Sequence, residues 1–239
     1  MTSRIADSGV RARAGGSPAF AAVGTVSFLA FLILAVLVQG RRLVGIDRTV
    51  TLASQIADSA LMDLWGAIAA IGLSSELSLV FGVIGALLLW RSGLGGWALA
   101  PLAFLILVPL EIVLKATIHQ APVPPDFYHR VYYPLMTVTL DGSFPSGHAM
   151  RSAFFGTFLL VLLPSRGRLG RLTAVLIVLV TVLAAFSRIY LGYHWFSDVV
   201  GGLLLGVGLA LLVAPRVAAR LAAVERRYSS LIDRHRSLD

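Results

Sequence analysis

Long apolar runs separated by short polar stretches dominate the sequence from residue 19 to residue 213. A helix needs about 20 mostly apolar residues to cross the hydrocarbon core of a bilayer. We therefore predict six transmembrane helices, at residues 19–38, 76–91, 96–118, 148–163, 172–188 and 198–213. The first run is too long for an ordinary signal peptide and lacks a convincing small-residue cleavage site after it, so we interpret it as a retained helix.

The two long connections differ in character. Residues 41–75 alternate apolar and polar groups, which predicts one or two short helices lying on the membrane surface. Residues 120–147 begin with Ala-Pro-Val-Pro-Pro, and proline cannot continue a helix because it lacks the amide donor. The pattern as a whole predicts an all-α, polytopic membrane protein with an N-terminal tail (1–17), a six-helix membrane domain (18–215) and a C-terminal tail (216–239).

Composition supports a membrane protein. Hydrophobic residues make up 57% of the 239 residues and charged residues only 13%, whereas a soluble domain must cover its surface with polar groups. The chain has no cysteine, which excludes disulfides and cysteine-ligated metals.

The net charge of +8 indicates an orientation rather than a nucleic-acid partner, because no soluble basic module stands apart from the apolar runs. If both termini are cytoplasmic, the inner segments hold 13 of the 20 basic residues, namely the arginines at 4, 11, 13, 91, 166, 168, 171, 216, 220, 226, 227, 234 and 236. The positive-inside rule therefore predicts cytoplasmic termini. It also predicts a C-terminal tail that lies against anionic inner-leaflet lipid.

Three polar clusters interrupt the apolar sequence, and this topology brings all three to the outer face. They are Lys115, the run from Ser143 to His148, and Ser187-Arg188 followed by His194 and Asp198. Ionisable residues at membrane depth are costly, so a convergent set predicts a functional site.

The clusters have the chemistry of an anion site. Ser146 and Gly147 precede a predicted helix, whose first turn offers unpaired N–H donors and a positive dipole end. Glycine also allows a phosphate to approach the backbone closely. Lys115 and Arg188 would add fixed positive charge around the same anion.

The two histidines suit different catalytic roles. His194 and Asp198 are four residues apart, so the carboxylate can hold one ring nitrogen and leave the other as a nucleophile. His148 at a helix start could protonate a departing oxygen. This set predicts phosphoryl transfer through a phosphohistidine. The histidines and the carboxylate could in principle bind zinc, but the surrounding cations oppose it, and we expect no metal or other cofactor.

These residues resemble the type-2 phosphatidic acid phosphatase (PAP2) family, which shares its phosphate site with vanadium haloperoxidases. Pro145-Ser146-Gly147-His148 matches the second motif of the family, and Ser187-Arg188, His194 and Asp198 match the third. The resemblance covers about residues 76–213. It implies a helical core, His194 as nucleophile, Asp198 as its orienting partner and His148 as general acid. It also implies that Lys115, Ser146, Gly147 and Arg188 bind the phosphate.

The first motif departs from the family pattern of lysine, six residues, then arginine-proline. Counting from Lys115, Pro122 stands in the arginine position. We predict that Arg151, three residues after His148 on the same helix face, replaces this phosphate-binding cation. Arg130 in the long loop is the second candidate.

Several structural alternatives remain open for single residues. Arg188 could extend to the membrane interface, His148 could cap a helix, Lys115 could pair with Glu111 four residues earlier, and Arg151 could form an intramembrane ion pair.

For the whole chain, we expect a lipid phosphate substrate: undecaprenyl pyrophosphate, phosphatidic acid or phosphatidylglycerol phosphate. The alternatives are a phosphotransferase that uses the same phosphohistidine and a non-catalytic lipid-binding or transport protein. A haloperoxidase is disfavoured because those relatives are soluble. The arginine-rich, lysine-poor composition favours a bacterial inner membrane, and the sequence does not determine the oligomeric state.

Overall fold

The computed structural model describes residues 18–55, 60–72, 74–127, 142–163 and 167–236, and within these ranges it is helical, without a β-strand. The all-α prediction is therefore confirmed for the described part. The N-terminal tail and Arg130 lie outside it. The helices are α1 Pro18–Gln39, α2 Val44–Gln55, α3 Ala60–Gly72, α4 Ser75–Arg91, α5 Leu107–Thr117, α6 Gly147–Leu162, α7 Gly167–Tyr190 and α8 Phe196–Arg236, with 3₁₀ segments at Gly95–Ile106 and Pro125–Phe127.

Four helical segments are long and apolar enough to cross a membrane: α1, Gly95–Thr117, α7 and Phe196–Ile232 of α8. The other two predicted spans correspond to α4 and α6, which have 17 and 16 residues. The count of six therefore stays a prediction. Nine residues of α6 are buried, because this helix lies inside the protein with other helices around it. The first long connection, for which we predicted one or two short helices, contains two, α2 and α3. Their position on the membrane surface stays a prediction.

The third and sixth predicted spans differ in detail from the helices observed. The third begins as a twelve-residue 3₁₀ helix that contains Pro101, whose ring nitrogen has no hydrogen to donate. The sixth continues through Pro215 to Arg236 and reaches 41 residues. At 1.5 Å per residue such a helix is roughly twice as long as a bilayer core is thick. The hydropathy pattern indicates the residue at which α8 becomes polar, but the helix itself continues into the predicted C-terminal tail.

Close contact between α6 and α8 positions two of the three polar clusters relative to each other. A Cβ atom at Gly202 would collide with the carbonyl oxygen of Ser146, and one at Gly206 with that of Met150. Small residues at this four-residue spacing let two helix backbones approach each other. Asp198 lies one turn before Gly202, and its carbonyl oxygen accepts a 2.9 Å hydrogen bond from the Ser146 amide.

The loop before α6 is anchored by an aromatic side chain. Phe144 is fully buried, stacks on Phe31 of α1 with ring centroids 5.7 Å apart, and lies against Gly201 of α8. These contacts fix the loop that carries Ser143 and Ser146 relative to both neighbouring helices.

Candidate active site

Five helix ends meet at one end of the bundle, which we call the site end: those at Gln39, Thr117, Gly147, Tyr190 and Phe196. The three polar clusters singled out in the sequence all lie there. A cleft of about 290 Å³ opens at the same end, between α1, α2 and residues 119–121, and Trp195 lies on its wall.

His194 and Asp198 form the pair that their spacing predicts. His194 Nδ1 lies 3.2 Å from Asp198 Oδ2, and the same oxygen accepts a 2.9 Å hydrogen bond from the Trp195 amide. It also accepts a hydrogen bond from the Ser143 hydroxyl. Asp198 is fully buried. The aspartate is thus fixed from two sides, and a carboxylate at Nδ1 leaves the lone pair on Nε2 of the neutral ring.

The environment of His194 favours that neutral ring. Burial lowers the pKa of His194, and the nearby charge of Lys115 adds to this effect, while the hydrogen bond to Asp198 and the charges of Asp198 and Glu111 oppose it. Together these effects hold the pKa of His194 below its ordinary value, which favours the unprotonated imidazole at neutral pH. A neutral ring is the form that can act as a nucleophile.

The start of α6 has the predicted form of an anion site. Ser146 is the N-cap residue, and its side-chain oxygen accepts a 3.5 Å hydrogen bond from the Ala149 amide. Gly147 is the first helical residue, and His148 follows it half-buried. The free amides of a first helical turn are suited to oxyanions.

Lys115 and Arg151 both contact Glu111, which the sequence indicated only as a possible structural partner of Lys115. Lys115 Nζ lies 2.8 Å from Glu111 Oε1, and Arg151 Nη1 lies 3.4 Å from Glu111 Oε2. Arg151 Nη2 also lies 3.5 Å from His148 Nδ1. Both structural alternatives, the Lys115–Glu111 pair and the buried ion pair of Arg151, are therefore observed. The phosphate-binding roles of the two cations stay predictions.

Arg188 is buried rather than extended to the interface, so the alternative of an interfacial arginine is wrong. It is 3% exposed, and its Nη2 donates to the Gly66 carbonyl at 3.0 Å and to Ser187 Oγ at 3.1 Å. Its guanidinium carbon lies 5.8 Å from the centre of the Tyr193 ring. The backbone carbonyl of Arg188 accepts the His194 amide at 3.1 Å, which ties the two motif residues together.

Sequence reasoning missed a second buried carboxylate. Asp47 of α2 accepts 2.8 Å hydrogen bonds from the Ser197 amide and hydroxyl, and a 3.2 Å bond from Gln120 Nε2. It therefore caps the first turn of α8 from another helix. Burial raises the pKa of Asp47, against the effect of these hydrogen bonds. The Gln120 carbonyl in turn accepts the Ser143 amide at 2.9 Å, so this network braces the site around Asp198.

Among the described residues, no three histidine, aspartate or glutamate side chains are grouped closely enough to hold a metal ion. The site instead combines two histidines, one orienting carboxylate, three cations and a helix N-terminus.

Comparisons with known proteins identify the family of the chain. The sequence model of the PAP2 superfamily matches residues 96–221. The chain is 32% identical over 191 residues to phosphatidylglycerophosphatase B of Bacillus subtilis, which covers 78% of this chain and 90% of that protein. It is also 32% identical over 111 residues to an undecaprenyl-diphosphatase of Sulfolobus acidocaldarius, which covers 46% of this chain and 50% of that protein.

A solved structure shares the fold. The crystal structure of a transmembrane PAP2-type phosphatidylglycerolphosphate phosphatase from Bacillus subtilis superposes with a TM-score of 0.64 at 30% identity, and covers 80% of this chain and 93% of that one. With the second and third motifs intact and the apolar helices in place, the chain belongs to the PAP2 superfamily and is an integral membrane lipid phosphatase.

Proposed function

We propose that the protein hydrolyses a lipid phosphate or pyrophosphate through a phosphohistidine on His194. The observation that carries this proposal is the half-buried His194, whose Nδ1 lies 3.2 Å from Asp198 Oδ2 at the end of the bundle that also holds Lys115. Such an imidazole presents a directed nucleophile beside a cationic phosphate site.

In the first step, His194 Nε2 attacks phosphorus and the bond from phosphorus to the lipid-side oxygen breaks. That oxygen takes a proton from His148 and leaves as the lipid product. In the second step, a water molecule gives a proton to His148 while its oxygen attacks phosphorus. The phosphorus–nitrogen bond breaks, phosphate departs and His194 is restored.

Lys115, Arg188 and the amides after Ser146 would hold the transferring group in both steps. Fixed donors and cations stabilise the charge that develops on its oxygens, which is the main catalytic contribution in phosphoryl transfer. Arg151 would supply the positive charge that the arginine of the first motif supplies in the family pattern.

The substrates that we propose are phosphatidylglycerol phosphate, undecaprenyl pyrophosphate and phosphatidic acid, since the relatives are named for the first two. We expect purified protein in detergent, with EDTA present, to release phosphate from at least one of the three. The relative kcat/KM values would rank them. A phosphotransferase would instead yield a product that depends on an added acceptor alcohol. No release from any lipid would favour the lipid-binding alternative.

We further propose that both termini are cytoplasmic and that the site end faces outward across a bacterial inner membrane. The excess of arginines in the segments that this topology places inside supports the orientation. The arginines of the distal part of α8 would then lie beside anionic lipid headgroups.

We expect Arg151→Ala to lower kcat/KM by about 10- to 100-fold, the effect of losing one or two charge-assisted hydrogen bonds to phosphate. Arg151→Lys should recover part of this loss because it restores the charge without the guanidinium fork. The measurement is phosphate release at several substrate concentrations, with Arg42→Ala, an exposed arginine at the same end, as the matched control. Unchanged turnover and phosphate affinity in Arg151→Ala would contradict a phosphate-binding role and leave Arg151 with a structural role, to which its ion pair with Glu111 contributes.

A further inference from the structure

The carboxylate of Glu111 lies directly on the first residue of α6. A Cβ atom built on Gly147 would overlap three atoms of that carboxyl group, Oε2, Cδ and Oε1. The absence of a side chain at Gly147 therefore makes room for an oxyanion at the helix start, and the oxyanion that lies there is the protein's own carboxylate.

Two cations bind the same carboxylate. Lys115 Nζ lies 2.8 Å from one oxygen and Arg151 Nη1 lies 3.4 Å from the other, and the Glu111 side chain is only 16% exposed. Proteins commonly bind phosphate with a helix N-terminus, an ammonium group or a guanidinium group. All three converge on Glu111.

We propose that Glu111 occupies the phosphate position of the free enzyme and moves aside when the phosphate of a substrate binds. This inference rests on the proposed function, because it concerns the same phosphate site. Glu111 neutralises part of the charge of Lys115 and Arg151 and competes with phosphate for them. Its return after turnover displaces inorganic phosphate, so Glu111 weakens product binding.

A different role for Glu111 makes the opposite prediction. If the carboxylate only orients Lys115 and Arg151 for a phosphate that binds beside it, its loss would leave both cations less ordered and phosphate binding weaker. The sign of the change in phosphate affinity therefore separates the two roles.

The test uses the full chain purified in detergent and inorganic phosphate as the probe. Phosphate affinity is measured from the shift in Tm with phosphate concentration and from competitive inhibition of lipid hydrolysis. In Glu111→Gln, which keeps the shape of the side chain and removes its charge, we expect phosphate to bind about tenfold more tightly, the effect of one charge-assisted hydrogen bond. The matched control is Glu76→Gln. The Glu76 carboxylate also interacts electrostatically with Arg151, but it is not among the groups that contact Gly147. Its replacement should therefore change phosphate affinity less than twofold.

A second variant covers the case in which Glu111→Gln does not fold. Glu111→Asp keeps the charge but draws the carboxylate back by one methylene, so it should tighten phosphate binding by a smaller factor. Unchanged or weaker phosphate binding in the folded variants would overturn the inference, and so would equal tightening in Glu76→Gln.

Failure of this inference is distinguishable from failure of the proposed function. The Tm titration needs no turnover, so it reports on the phosphate site even if none of the lipids is hydrolysed. A wild-type protein that releases phosphate, together with a Glu111→Gln variant that binds phosphate no more tightly, would preserve the proposed function and remove the role of Glu111.

Discussion

Replacing His194 by alanine is expected to lower lipid phosphate release by about 10⁴-fold or more, because loss of a nucleophile removes the covalent route altogether. The effect should fall on kcat, since the cations and the α6 amides that bind the phosphate stay in place. The measurement is phosphate release under saturating lipid by the variant and the wild-type protein at equal concentration.

The matched control is His119→Ala, because His119 also lies at the site end but is paired with Gln39 rather than with a motif residue. This control should retain most of the activity, and both variants should retain the Tm of the wild-type protein within a few degrees. Equal activity in His194→Ala and His119→Ala would contradict a phosphohistidine on His194. Equal loss in both would indicate that any change at this end disturbs the fold.

The sequence was sufficient for the parts of the site that depend on local geometry. His194 and Asp198 lie within one helical turn of each other, so their pairing follows from the spacing alone. The same holds for the helix start that follows Ser146 and for the pair between Glu111 and Lys115. Helix positions were also predictable, because apolar runs of this length have few alternatives in a membrane.

Contacts between distant segments were not predictable. Asp47 and Ser197 are 150 residues apart, and Asp47 lies in the connection of mixed apolar and polar residues, where no local pattern indicates its partner. The pair between Glu111 and Lys115 was one structural alternative, but the position of Glu111 on Gly147 depends on how α5 and α6 pack. The end of α8 was missed for another reason: hydropathy marks where a helix leaves the bilayer, whereas a helix ends where its backbone hydrogen bonds end.

Tyr190 illustrates the same limit. In the sequence, Tyr190 is close to Tyr193 and Trp195, and such a group of aromatic residues favours a position at the membrane interface, where amphipathic rings prefer to lie. In the structure it is fully buried, and its hydroxyl lies 3.2 Å from Asp63 Oδ1. Helices α2 and α3 cover this part of the site end, and a single sequence did not indicate that cover.

Replacing Asp198 by asparagine is expected to lower kcat by about a thousandfold while changing the pH dependence in a defined direction. Oδ2 accepts the Trp195 amide, so the amide oxygen of asparagine should take that position and its NH₂ group that of Oδ1, which has no hydrogen-bond partner among the described residues. The geometry at His194 Nδ1 would then be kept and the negative charge lost. The charge is needed because the imidazole becomes cationic as it takes up phosphorus.

The pH dependence follows from the groups that shift the pKa of His194. In the wild-type protein, kcat/KM should fall as pH drops through an apparent pKa below 6.5, since only the neutral ring attacks. Asp198 raises that pKa and Lys115 lowers it. The acidic limb should therefore move to lower pH in Asp198→Asn and to higher pH in Lys115→Met. Shifts of the acidic limb in opposite directions in the two variants would assign the limb to His194. Loss of packing alone would not move the limb in a direction that depends on the sign of the charge removed. An acidic limb that stays in place in both variants would assign it to another group and contradict His194 as the group that sets the limb.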